Sequence, residues 1–167
     1  MTEPTRIGRA QQDLLRQVHE HLRSELRQIL AAVDQVAAGA ADPESTRSLI
    51  NAMTMRQNFW TLGSFCASYC RTLTLHHGIE DAAMFPGLVA REPAILAVTE
   101  RLSAEHEVIH EVLVSLDETL VALVDGGSDV SAVRAEAQSL SDLLLPHLEY
   151  EEEQLLPVIG RLTDRVV

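Results

Sequence analysis

Apolar residues recur at steps of three and four along most of this chain, and that period leaves little room for anything but helices. Leu15, Leu22, Leu26, Ile29 and Val33 mark a first helix from about Ala10 to Ala38, ended by Gly39. A second carries Leu62, Phe65, Cys66, Tyr69 and Leu73 on one stripe and is expected to end near Pro86. A third opens at Pro93 and repeats Leu102, Ile109, Leu113, Leu116 and Leu120 until DGGSD, residues 125–129. A fourth carries Val133, Leu140 and Leu144 and ends near Pro157. Gly and Pro are sparse, and they divide the chain into these long segments. Four long helices on short connections read as an all-α, up-down-up-down four-helix bundle.

The halves of the chain are related. LTLHHGIEDAAMFPGL (73–88) and LLPHLEYEEEQLLPVI (144–159) align without a gap at an offset of 71. His76 falls on His147, Glu80 on Glu151, Asp81 on Glu152 and Pro86 on Pro157. HEHLRSEL (19–26) lies more weakly over HEVIHEVL (106–113), with Arg23 where the second copy has His110. Two helical hairpins related by a pseudo-twofold would build one site between them. At 167 residues the chain is most simply one domain, 1–167. Asp42 and Pro43 offer a helix start, but His76 comes level along the bundle with the histidines of the other helices if the second helix begins near Gln57. That leaves 43–56 as a connector or a short extra helix.

The formal net charge is -12. Phosphate binding needs clustered Lys and Arg, so neither nucleic acid nor an anionic membrane surface is an expected partner. No stretch approaches the roughly 20 apolar residues that span a bilayer. The opening MTEPTRIGRA lacks the apolar core of a secretory signal, and a cytoplasmic location is expected. Cys66 and Cys70, four apart, read as small residues in a helix interface rather than as a redox pair.

The seven histidines are not scattered. His19, His76, His106, His110 and His147 fall on the apolar stripes, while His21 and His77 fall off them, each beside one that is on. His76 and Glu80, His106 and His110, and His147 and Glu151 are four apart, so each pair stacks on one helix face with Cβ atoms about 5–6 Å apart. A lone buried histidine is usually a satisfied core residue. Five imidazoles and two carboxylates in one small core would cost several kcal/mol each unless neutralised, and a metal supplies the compensating charge. The set is too rich for one tetrahedral zinc and suits two octahedral ions, iron first and manganese second. Five imidazoles, two bridging carboxylates and one bridging oxygen fill every place on such a pair but one.

The ordered pattern resembles the hemerythrin-like, or HHE cation-binding, domain family. The motifs are VHEHLR (18–23), HHGIED with FP following (76–86), EHEVIH (105–110) and HLEYEEEQLLP (147–157), and the similarity runs from about residue 13 to 160. The resemblance implies a non-haem di-iron centre, oxo- or hydroxo-bridged, that binds dioxygen or a related small oxidant such as nitric oxide or peroxide. It implies His19, His76, Glu80, His106, His110, His147 and Glu151 as ligands. Oxygen carriers of the family usually place the last carboxylate five after the histidine, so Glu152 competes with Glu151. His21 is the alternative to His19. Tyr69 is either a hydrogen-bond donor to a bound oxidant or a core aromatic. Asp81 and the unused member of Glu151 and Glu152 either orient imidazoles or are solvated charge. Three functions fit: reversible sensing, storage or scavenging of a small oxidant; an enzyme that reduces peroxide or nitric oxide; or a protein that handles or donates iron.

Overall fold

The computed structural model describes residues 3–40, 66–124 and 129–166. The expected helix start at Asp42 and Pro43, the 43–56 connector, a beginning near Gln57, and Leu62 and Phe65 lie outside the described residues. Within them the chain is helical except for short ends and connections, and has no strand. Helix α1 is Arg6–Ala40, and α2 covers residues 66–79. A π-helical turn, Glu80–Met84, joins α2 to α3, Phe85–Arg91. A 3₁₀ turn, Pro93–Ile95, leads into α4, Leu96–Val124, and α5 is Val130–Ile159.

The antiparallel order shows in which residues meet. Along α1 and α5, Thr5 N–H donates to the Gly160 carbonyl at 2.9 Å, the Gln12 amide to the Leu156 carbonyl at 2.6 Å, and Arg134 reaches Asp34 at 2.8 Å. Tyr69 and Leu73 share a cluster with Ile109, Leu113 and Leu116, and Phe85 and Leu88 share the other with Leu102, so α4 runs against the α2–α3 rod in the same sense; between them Ser103 donates to Asp81 at 2.6 Å. The caps are local chemistry. Asp129, extended at φ -115°, accepts the Ala132 N–H at 3.0 Å and opens α5, satisfying one of the donors that a helix start leaves over.

The helices bury a heptad seam. On α4 it runs Leu102, His106, Ile109, Leu113, Leu116 and Leu120, alternating steps of four and three, and all six are buried. That is the knobs-into-holes period of 3.5, narrower than a free helix stripe. The seam splits into two apolar clusters. Leu22, Leu26, Ile29, Leu73, Ile109, Leu113, Leu140 and Leu144 belong to one; Leu15, Phe85, Leu88, Leu102, Leu155 and Ile159 belong to the other. α1, the α2–α3 rod, α4 and α5 each cross from one cluster to the other through polar residues: His19 on α1, His77 on α2 with Glu80 in the π turn, His106 on α4, and His147 and Glu151 on α5, all buried.

The second helix does not end near Pro86 as its proline suggests. Phe85 N–H bonds the Glu80 carbonyl, a five-residue step, and the wider turn relieves the crowding that a helical proline imposes on the carbonyl four residues back. Pro86 then sits at the start of α3, where its missing N–H costs nothing. The fourth helix passes Pro157 by two residues, to Ile159.

Candidate metal centre

The polar layer is one cluster of seven side chains. His19, His76, Glu80 and Glu151 each bring one donor atom to a group whose atoms all lie within 4.8 Å of one another, and His77, His106 and His147 form a second such group. The carboxylates join the two. Glu80 Oε1 lies 3.2 Å from His76 Nε2 and its Oε2 3.6 Å from His106 Nε2. Glu151 Oε2 lies 3.3 Å from His19 Nε2 and 4.0 Å from His147 Nε2. The rings crowd each other as well: His77 stacks on His106 at 3.9 Å between centroids, and His19 meets His76 edge-on at 5.2 Å.

Two expectations about histidines need correction. His77, expected to face outward, is 5 % exposed and inside the cluster, whereas His110, expected inside, is exposed and is not brought to it. On α4 the period of 3.5 buries Ile109 and turns the next residue, His110, about 100° away. On α2 the buried positions step by four twice, Tyr69 to Leu73 to His77, then by three to Glu80. The seam thus slides past His76, so both adjacent rings straddle the interface. The π turn adds a residue, and burial resumes at Phe85. Of the remaining expected residues, His19, Glu80, His106, His147 and Glu151 are buried together, with His76 at their edge. His21 is exposed, 3.5 Å from Glu25. Tyr69 is buried among the apolar residues above the cluster.

The outer nitrogens of three imidazoles are held from behind. His19 Nδ1 meets Glu152 Oε1 at 2.9 Å, His106 Nδ1 meets Asp81 Oδ2 at 2.9 Å, and His147 Nδ1 meets Glu105 Oε2 at 2.9 Å. Each carboxylate is anchored in turn. Arg23 reaches Glu152 at 2.8 Å, Ser103 donates to Asp81, and Arg101 reaches Glu105 at 2.7 Å while lying 3.8 Å over the Tyr150 ring. A carboxylate on Nδ1 fixes the tautomer with Nε2 free to the interior and raises its basicity. Glu105 and Arg101 escape sequence reasoning because their helix positions are half-buried or exposed. The only hint was adjacency, Glu105 standing directly before His106.

Burial governs the electrostatics. It pushes the Glu80 carboxyl well above the usual range, and the nearby Glu151 charge pushes the same way. Burial also opposes ionisation of Glu151, but His19, His76 and His147 around it hold its carboxyl below the usual range. His76 is pushed down to about 4, first by burial and then by the neighbouring His19 ring. His77 and His147 are lowered too, each chiefly by burial, in His147 against the pull of Glu105. Neutral imidazoles and at least one ionised carboxylate are the protonation states that bind metals.

One observation tests whether these residues fit an ion. Nine buried atoms, the Nε2 of all five imidazoles and both oxygens of Glu80 and Glu151, have no hydrogen-bond partner among the described residues. Each such group costs about 1–3 kcal/mol, so nine together rival the ~5–15 kcal/mol that stabilises a whole domain. All nine belong to the seven side chains that face one another. Nitrogen and oxygen donors with no thiolate fit first-row divalent metals.

Comparison with known proteins points the same way, to a bound cation. Residues 10–159 match the sequence pattern of the family described as the hemerythrin HHE cation binding domain. No curated protein and no solved structure shows a match to the chain.

Proposed function

The chain belongs to the hemerythrin HHE cation-binding family, and from that premise we propose that it holds two iron ions and binds dioxygen or a related small oxidant, nitric oxide or peroxide. His19, His76, Glu80 and Glu151 would serve one ion and His77, His106 and His147 the other, with Glu80 and Glu151 shared between them. The supporting observation is the convergence of nine unpartnered donor atoms from four helical segments. When bound, iron supplies a redox-active Lewis acid at which a small oxidant is held.

The chain's own residues do the rest. Asp81, Glu105 and Glu152 aim three imidazoles and fix the tautomer that presents Nε2 to the interior. Leucines above and below exclude water, which lowers the local dielectric and strengthens every charge interaction within the layer. Among the described residues no helix is long and apolar enough to cross a membrane, and the acidic surface suits neither nucleic acid nor an anionic bilayer. A small diffusible partner fits this layout better than a macromolecule, in a cytoplasmic setting.

The test is the visible spectrum of iron-loaded, reduced protein as oxygen is admitted and then withdrawn. A band that appears and reverses supports a carrier or sensor. Stoichiometric consumption of oxidant, with no reversal, replaces this reading by a catalytic or iron-handling one.

A further inference from the structure

A cavity of about 820 Å³ opens between the first half of α1 and the α2–α3 rod. Its walls are apolar, with Leu14 61 % and Ile79 43 % exposed beside Val18 and Met84. Arg6 and Arg165 line one end, where Thr5 also meets Gly160. His76 and Glu80 line the other, at the level of Val18. Twelve helical residues separate Arg6 from Val18, so the groove is about 18 Å long.

Charge narrows the occupant. The chain carries a net -12, and seven arginines each reach a carboxylate within 4.0 Å. Arg6 and Arg165 reach none among the described residues, yet both border the groove. The volume lies within the roughly 300–1,000 Å³ typical of small-molecule sites. A neutral hydrocarbon would leave the guanidiniums unpaired, and a small inorganic anion would leave the apolar walls wet.

We propose that this groove binds an acyl-chain carboxylate, its head group between Arg6 and Arg165 and its chain running toward His76 and Glu80. His76 retains a 10 % exposed side chain where its partners in the cluster are almost completely closed off. The end of the acyl chain covers that edge, so occupancy governs access to the centre from this side. Binding rests on the groove alone; only the effect on access rests on the metal reading given above.

Dodecanoate, below its micelle concentration, is titrated calorimetrically into metal-free and iron-loaded protein. Saturable one-to-one binding is expected in both. The double variant Arg6→Ala/Arg165→Ala should weaken it by roughly tenfold or more, as loss of charge-assisted hydrogen bonds does. Leu14→Glu, on an exposed position, should abolish it, and dodecyltrimethylammonium should not bind. In iron-loaded protein, dodecanoate should slow release of iron to a chelator, and not in Leu14→Glu. Absence of saturable binding, equal affinity for both head groups, or a dimer in sedimentation whose formation excludes dodecanoate would overturn the assignment. Binding with no change in iron release would refute the covering of His76. Binding by a protein that takes up no iron would leave the groove assigned and overturn the metal reading.

Discussion

His19 Nδ1 lies 2.9 Å from Glu152, and His106 Nδ1 lies 2.9 Å from Asp81. The two contacts are images of each other under the internal repeat, which sets Asp81 on Glu152 and His19 on His106. In each hairpin the carboxylate that follows the cluster's Glu aims an imidazole of the other hairpin. Asp81→Asn and Glu152→Gln should therefore weaken metal binding by similar factors, between about 10 and 100. Glu105→Gln, behind His147, should fall in the same range. Competition with a calibrated chelator measures all three. Unchanged affinity in these variants would show that the outer contacts do not tune the cluster.

Metal removal should cost much of the stability. An ion present at about 100 times its Kd contributes about 2.7 kcal/mol by mass action. Two such ions correspond to a drop in Tm of more than about 10 °C for a domain of this size. Calorimetry before and after chelation measures it, and an unchanged Tm would mean that the nine unpartnered atoms are satisfied without metal.

Burial pushes the Cys70 thiol up to about 11 and the Cys66 thiol up to about 12. A raised thiol pKa keeps sulfur protonated and unreactive. At pH 8, iodoacetamide should alkylate the folded protein at least about 100-fold more slowly than the unfolded chain, whose thiols titrate near 8.5. The folded rate should climb about tenfold per pH unit up to pH 10. Rapid alkylation at pH 8 would revive a redox role for the pair.

Two glycines should respond to alanine with opposite signs. A Cβ on Gly8 would sit 2.4 Å from the Gly160 carbonyl oxygen, which is backbone and cannot step aside. Gly8→Ala should cost about 1–3 kcal/mol by forcing α1 off the end of α5. Among the described residues nothing outside its own helix turn lies within 4 Å of a Cβ on Gly78, so Gly78→Ala should stabilise by about 0.5–1 kcal/mol through helix propensity. Urea midpoints decide both.

The bundle was legible because apolar spacing alone marks its helices, and Leu102, Ile109, Leu113, Leu116 and Leu120 are buried as their period requires. The layer of histidines and carboxylates was legible from the repeat, which located His76 with Glu80 and His147 with Glu151. What failed was phase within one turn. A step of four residues looks the same on a free helix and on a heptad seam, yet only the seam decides between Ile109 and His110 as the inward residue. On α2 two successive steps of four, Tyr69 to Leu73 to His77, carry the seam past His76; beyond its end the π turn shifts phase again, and the one trace of that turn in sequence is Pro86, which also reads as a helix stop. Glu105 was invisible because its work is done from a half-buried position that periodicity treats as surface.

The iron content of three proteins tests the cluster most directly: the native chain, His77→Ala and His110→Ala, each loaded anaerobically with ferrous ion and desalted. The native chain and His110→Ala should both retain two ions, and His77→Ala should retain fewer. Full iron in His77→Ala together with loss in His110→Ala would contradict the arrangement of the seven side chains described above.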